Sequence, residues 1–174
     1  MPSHGAKDPA GAPSDLPIHL RTELQPGDVE AIVRFHNEAY GKEFGFEPTF
    51  ETHVSEPLTA FAGSSSPRQR VWIAEAGGEM IGCIAIVEAN TKEAQLRWFL
   101  VTAGARNSGL GRRLLREAID FSRSMGYERI FLWTVSVLHA AARLYHAFGF
   151  QLVESNPGRM WGVDLEEERY DLIL

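Results

Sequence analysis

The chain has 174 residues, 44% hydrophobic and 23% charged, with a net charge of −6, a composition that suits a soluble globular domain with a substantial core. The acidic balance argues against nonspecific nucleic-acid binding, and no run reaches the ~18 apolar residues of a membrane span. A single cysteine, Cys83, excludes a disulfide framework and a cysteine metal site, and no other ligand cluster points to a metal.

Residues 1–17, rich in Pro, Gly, Ala and Ser, lack a hydrophobic signal core. They read as a disordered tail ahead of a single domain over 18–174, in a reducing, cytoplasmic setting. Residues 18–24 are a plausible first strand, and Gln25-Pro26-Gly27-Asp28 a turn with Asp28 as helix N-cap. Ala31, Ile32, Phe35 and Ala39 then mark one helical face that continues toward Tyr40 and Phe44. Residues 50–61 form a second, less periodic helix candidate, and Gly63 to Pro67 the clearest internal loop. Residues 71–75 and 80–88 read as a hairpin about Gly77-Gly78, with Cys83 a buried small hydrophobe in its second strand. After the turn at Ala89-Asn90-Thr91, residues 93–101 give a further strand that ends in a fully apolar run.

The stretch from Arg106 to Arg112 joins that strand to a helix marked by Leu110, Leu114, Leu115, Ala118, Ile119 and Met125. Gly109 and Gly111 allow close backbone approach, and the first N–H groups of the helix, with its dipole, favour an anion such as phosphate. Arg112, Arg113 and Arg116 work against the dipole at that end, which suggests a compensating negative ligand. From Arg106 to Arg129 six arginines face three carboxylates, an excess that suits a small polyanion better than a duplex. A strand at 129–135, a helix near 138–148 and a strand from Gly149 follow. The resulting order, β-α-α-β-β-β-α-β-α-β-β, is an α/β chain with a mixed sheet and helices on both faces.

The loop, together with Leu144-Tyr145 and Gly149-Phe150 downstream, resembles the Gln/Arg-x-x-Gly-x-Gly/Ala motif and C-terminal signature of the GNAT acetyltransferases. The resemblance runs from about Ile18 to Leu174. It is nearest to acetyltransferase domains fused to MarR-type regulators, through residues 132–136, 138–141, Trp161-Gly162 and 169–172. No DNA-binding domain is expected ahead of it in the 174 residues.

The resemblance implies the GNAT fold and direct acetyl transfer from acetyl-CoA, as cosubstrate and without a metal, to a primary amine of a small molecule or peptide. It implies that the backbone of Phe99, Leu100 and Val101 meets the pantetheine arm. Arg106, Asn107, Ser108, Gly109, Leu110, Gly111 and Arg112 would then hold the pyrophosphate, and Ser136 would add a hydrogen bond. Tyr145 aligns with the general acid. Where many relatives carry a basic Glu this chain has Gln95, which cannot take a proton, so Glu93, on the same strand face, is the candidate base through water. His36, Tyr40, Glu43, Phe46, Gln95 and Trp161 would line the acceptor site. Glu38, Glu43 and Glu47 would attract a cationic amine. Gln95 also leaves open a non-catalytic acyl-CoA sensor, and a protein acetyltransferase is the other alternative; a monomer and a homodimer suit the fold equally.

Overall fold

A computed structural model describes residues 16–47 and 49–174. Of the tail expected over 1–17, residues 1–15 lie outside the described residues. In chain order the elements are β1 (His19–Arg21), α1 (Asp28–Phe44), α2 (Thr49–Ala62), β2 (Arg70–Ala76), β3 (Glu79–Glu88) and β4 (Glu93–Val101). A 3-10 turn at Ala103–Ala105 leads to α3 (Leu110–Ser124), β5 (Arg129–Val135), α4 (His139–Ala147), β6 (Gln151–Met160) and β7 (Val163–Ile173). The order and types are those read from the sequence. The seven strands form one sheet in the order β1-β2-β3-β4-β5-β7-β6. Among the described residues its only parallel pair is β4–β5, because the α3 crossover returns the chain in the same direction while hairpins reverse it.

Period-two alternation sends the two sheet faces into separate cores. On one side Val71, Ile73, Cys83 and Ala85 pack beneath Ile32 of α1 and Leu58 of α2. On the other, Trp72, Ala74, Ile84 and Ile86 pack beneath Leu114, Leu115 and Ala118 of α3 and Tyr145 of α4. Helices on both faces are thus required by two buried apolar surfaces.

β4 breaks its own alternation. Cys83 pairs with Leu100 and Ala85 with Arg97, so β4 carries one residue more than β3 across this interval. Trp98 sits there with φ 48°, a β-bulge that bends and twists the strand. Ala94 and Leu96 therefore face the α3 core, whereas Trp98 and Leu100 face the α1–α2 core. The Cys83 thiol donates to the Trp98 carbonyl at 3.1 Å, so the cysteine is buried as read and also satisfies an acceptor at the bulge. Pairing between β4 and β5 covers only Glu93–Arg129, Ala94–Ile130 and Gln95–Phe131. Beyond these residues the two strands separate and leave a gap in the middle of the sheet.

Two local expectations are corrected. Asp28 is the first residue of α1, and Gly27, with φ 90°, occupies the cap position without a side-chain cap. The Asp28 carboxylate instead accepts the Gln25 N–H and both Arg21 Nη groups, at 2.6 and 2.8 Å. The first strand is shorter than 18–24, because Arg21 also reaches the Glu23 carbonyl at 2.9 Å and pins the chain into its turn. At the other end, the strand read from Gly149 starts at Gln151 and runs to Met160 through Pro157, which an edge strand tolerates.

Arg21 also bonds Glu75 of β2 at 2.8 Å, tying the first strand, the first helix and the sheet together. Arg21→Ala is expected to lower stability by about 2 kcal/mol, read as a shifted urea midpoint with an unchanged slope. Burial tends to raise the Asp28 pKa, but the Arg21 and Gln25 hydrogen bonds outweigh it and hold the carboxyl below the usual range. The contribution of Asp28 is therefore whole above its unfolded pKa and is lost as pH falls through the lower folded one. An unchanged midpoint at neutral pH would mean that the cluster is solvated surface.

Candidate active site

The gap between β4 and β5 opens into two limbs that meet at Tyr40, Phe99, Leu138 and Ala141. The wider limb, about 810 Å³, runs over the start of α3 and is walled by Phe99, Leu100, Val101, Asn107, Gly109, Gly111 and Arg112. The narrower, about 270 Å³, lies between α1, α2 and the sheet and is walled by His36, Phe46, Gln95, Arg97, Tyr145 and Trp161.

In the wider limb the start of α3 carries no side-chain cap, and Gly109 precedes it with φ 86°. Among the described residues no hydrogen bond engages the main-chain N–H groups of Gly111 and Arg112; the first helical bond is Arg113 N–H to the Gly109 carbonyl. Unpaired donors at a helix N-terminus form a site for an anion. A Cβ at Gly111 would lie 3.4 Å from Leu144 and 3.6 Å from Phe99, so a side chain there narrows the passage to those donors. Ser108 is occupied locally, donating to the Ala105 carbonyl at 2.5 Å and accepting the Leu110 N–H at 3.4 Å, and Leu110 is a core residue, 2% exposed. Of the loop arginines, Arg106 is clasped by Glu43 at 2.6 and 3.2 Å. Arg112 lines the limb beside Arg143 of α4, whereas Arg113 and Arg116 point outward into solvent.

In the narrower limb α4 presents Tyr145, 5% exposed, ringed by Phe99, Phe150 and Tyr170 at 5.7 to 6.1 Å. Its hydroxyl makes no hydrogen bond to a described residue. Burial above all, with Tyr40 and Tyr170 nearby, pushes its pKa far up, so it is a proton donor at neutral pH. Opposite, His36 is 3% exposed. Its Nδ1 lies 2.8 Å from the Ile32 carbonyl, which can only accept, so Nδ1 carries the hydrogen and Nε2 is left as a lone pair. That Nε2 is buried with no hydrogen-bond partner among the described residues. Burial lowers the ring pKa to about 4, against a smaller raising effect of the Ile32 bond. The wall is completed by Phe46 against Trp161, with ring centroids 5.0 Å apart.

The structure thus gathers His36, Tyr40, Phe46, Gln95, Tyr145 and Trp161 into one limb, and most of the loop residues into the other. Ser108 and Leu110 line neither limb, and three further expected site residues are held by other contacts. Glu93 lies outside both limbs, with its carboxylate held by Arg129 and by Asn90, each at 3.0 Å. Ser136 exchanges bonds with the Glu166 backbone at 2.9 and 3.2 Å, which turns it to β7. Glu43 borders the wide limb but is committed to Arg106. Conversely, Arg97, His53 and Glu167 line the narrow limb without having been singled out. Arg97 gave a signal, as a charged residue inside a run otherwise apolar from Leu96 to Val101.

Residues 29–150 match the acetyltransferase (GNAT) family. N-acetyltransferase family 8 member 3 of Rattus norvegicus is 35% identical over 85 residues, 46% of this chain and 37% of that protein. The Escherichia coli strain K12 protein named uncharacterized N-acetyltransferase YjgM is 32% identical over 157 residues, 86% of this chain and 91% of its own. The chain spans 37%, 60% and 38% of the length of the first curated relatives it matches. An acetyltransferase of Salmonella typhimurium, solved with its cofactor acetyl-CoA, shares the fold with a TM-score of 0.72 at 21% identity, over 90% of this chain and 93% of that one.

The tautomer and pKa of His36 are directly measurable. Its imidazole should keep a neutral NMR signature, protonated at Nδ1, until the pH falls to about 4. The unfolded chain takes up that proton near pH ~6.5, so His36 adds stability above that value and loses it progressively as pH drops toward the folded pKa. A His36 titration near the unperturbed value would mean that the ring is solvated.

Proposed function

The chain belongs to the GNAT acetyltransferase family, and we propose that it is an acetyl-CoA-dependent N-acetyltransferase that moves the acetyl group directly to a primary amine of a small molecule or peptide. The observation that carries this reading is the continuity of the gap: unpaired helix N–H donors at one end and an unbonded, protonated Tyr145 phenol at the other. Acetyl-CoA would supply an activated thioester and a polyanionic handle. The N–H groups of Gly111 and Arg112 would hold its pyrophosphate, with Arg112 adding charge. The peptide groups of Phe99 to Val101, released from β5 where pairing stops, would pair with the pantetheine amides.

Tyr145 is the group we assign to protonate the departing sulfur, for which burial keeps it ready. Glu93 is bound to Arg129, so the amine proton is assigned to Glu167, the carboxylate that lines the narrow limb among the described residues. His36 Nε2 accepts a hydrogen bond from the amine and orients it. The likeness to domains fused to MarR-type regulators, carried by residues 132–136, 138–141, Trp161-Gly162 and 169–172, is the branch to which we assign the chain. A second reading, an acyl-CoA sensor, is favoured by Gln95, which lines the limb where a carboxylate base would be useful.

Calorimetry should detect acetyl-CoA binding that Gly111→Glu abolishes, because the new side chain meets Leu144 and Phe99 and sets a carboxylate among the anion donors. Tyr145→Phe should leave acetyl-CoA affinity nearly unchanged while cutting amine-dependent CoA release by about a hundredfold or more. Absence of binding by the wild type overturns the reading; binding without CoA release for any amine selects the sensor.

A further inference from the structure

We propose that the acceptor is a small amine that also bears a carboxylate, an amino-acid-like zwitterion, and that Arg97 reads its anionic end. The inference rests on the acetyltransferase reading above and names the substrate class of that same site. Arg97 lies two residues from Gln95 on the same stretch of β4, in the limb that also holds Tyr145 and His36. Among the described residues its guanidinium has no hydrogen bond and no carboxylate within ion-pairing distance, only the Trp98 ring 5.1 Å away. Its surroundings set it apart from Arg21, Arg68, Arg106, Arg129 and Arg169, each of which meets a carboxylate. Burial lowers the Arg97 pKa with nothing nearby to offset it. Keeping a largely buried cation without a partner is costly unless a ligand completes it. The planar guanidinium fork matches a carboxylate through two parallel bonds.

The opposite pole is present too. Glu167 enters the limb from β7, where it pairs with Val135 and Asn156, too far from Arg97 for an ion pair. Arg97 and Glu167 both act electrostatically on His53, the one lowering and the other raising its pKa, so a cation and an anion both lie near one imidazole of the limb. Arg97, Glu167 and the lone pair of His36 therefore match a carboxylate and an amine on one small molecule. A limb of about 270 Å³ lies below the ~300–1,000 Å³ of typical ligand pockets, and it is walled by Phe46 and Trp161. These dimensions fit a compact acceptor better than a folded protein surface. In the reaction the amine nitrogen bonds the acetyl carbon as the carbon–sulfur bond breaks. Before attack the ammonium gives one proton to solvent. On attack the second nitrogen proton goes to Glu167, the sulfur takes one from Tyr145, and both side chains return to their starting states by exchange with solvent. The product keeps its carboxylate but loses the cationic pole that faced Glu167, which favours its release.

The test compares the proteinogenic amino acids with their carboxamides and decarboxylated amines, following acetyl-CoA-dependent CoA release, and titrates the same compounds calorimetrically into the CoA-loaded protein. At least one amino acid should exceed its carboxamide in kcat/KM by about tenfold to a hundredfold. Arg97→Met, which keeps the packing stem over Trp98, and Arg97→Lys, which keeps the charge but loses the fork, should both collapse that ratio toward one. Acetyl-CoA binding by each variant serves as the folding control. Wild-type protein that binds acetyl-CoA yet treats carboxylates and carboxamides alike, prefers lysine-bearing peptides, or binds no carboxylate-bearing amine overturns the inference and leaves the acetyltransferase reading standing. Failure to bind acetyl-CoA overturns that underlying reading instead.

Discussion

Hydrogen bonding between β4 and β5 ends after Gln95 and Phe131, and the site follows from that stop. An extra residue at Trp98 bends β4 while its neighbour β3 holds it from the other edge through the Cys83–Leu100 and Ala85–Arg97 pairs. β5 cannot follow the bend, because β7 holds it along its whole length from Arg129 to Val135. Two strands anchored to different partners must part, and buried peptide groups freed by the parting need new partners. The gap is therefore a demand for hydrogen bonds built into the middle of an otherwise complete sheet. An extended ligand that carries amides meets that demand.

The limbs of the gap use different chemistry because different elements reach them. The wide limb is made of backbone, a helix start and a loop whose side chains mostly face away, so it recognises charge and extended shape. The narrow limb is made of side chains from α1, α2, α4, β4 and β7. Their burial sets protonation states before any ligand arrives, His36 neutral and Tyr145 protonated, and it disfavours the charge that Arg97 carries without a partner. Fixed backbone donors and adaptable side chains thus divide the gap between two kinds of recognition.

The elements were legible because each has a period or a punctuation of its own. The strands at 93–101 and 129–135 and the helix from Leu110 emerge at the bounds their apolar patterns dictate. The bulge was not legible, since a run from Leu96 to Val101 that is apolar apart from Arg97 shows no break in alternation where the faces exchange. Long-range pairings were equally hidden. Glu43 and Arg106 stand 63 residues apart, and each looked like a ligand-binding charge until the fold brought them together. Glu93 and Ser136 misled for the same reason, because the partners that occupy them, Arg129 and Glu166, belong to other strands. Local spacing fixes which face a side chain takes, whereas only the assembled sheet shows whether a partner already fills it.

The Glu43–Arg106 pair then takes on a different meaning from either residue alone. It joins α1, which carries His36 and Tyr40 into the narrow limb, to the loop that opens α3 and its N–H donors. Tyr40 borders both limbs and packs on Phe46 with ring centroids 5.8 Å apart, so a shift of α1 would alter both at once. Roughly two-fifths of each side chain's surface is exposed, 41% for Arg106 and 35% for Glu43, so solvent screening leaves the pair worth little in stability. Its consequence is geometric: it sets α1, with His36 and Tyr40, beside the loop that opens α3, so the walls of the two limbs are linked across the gap.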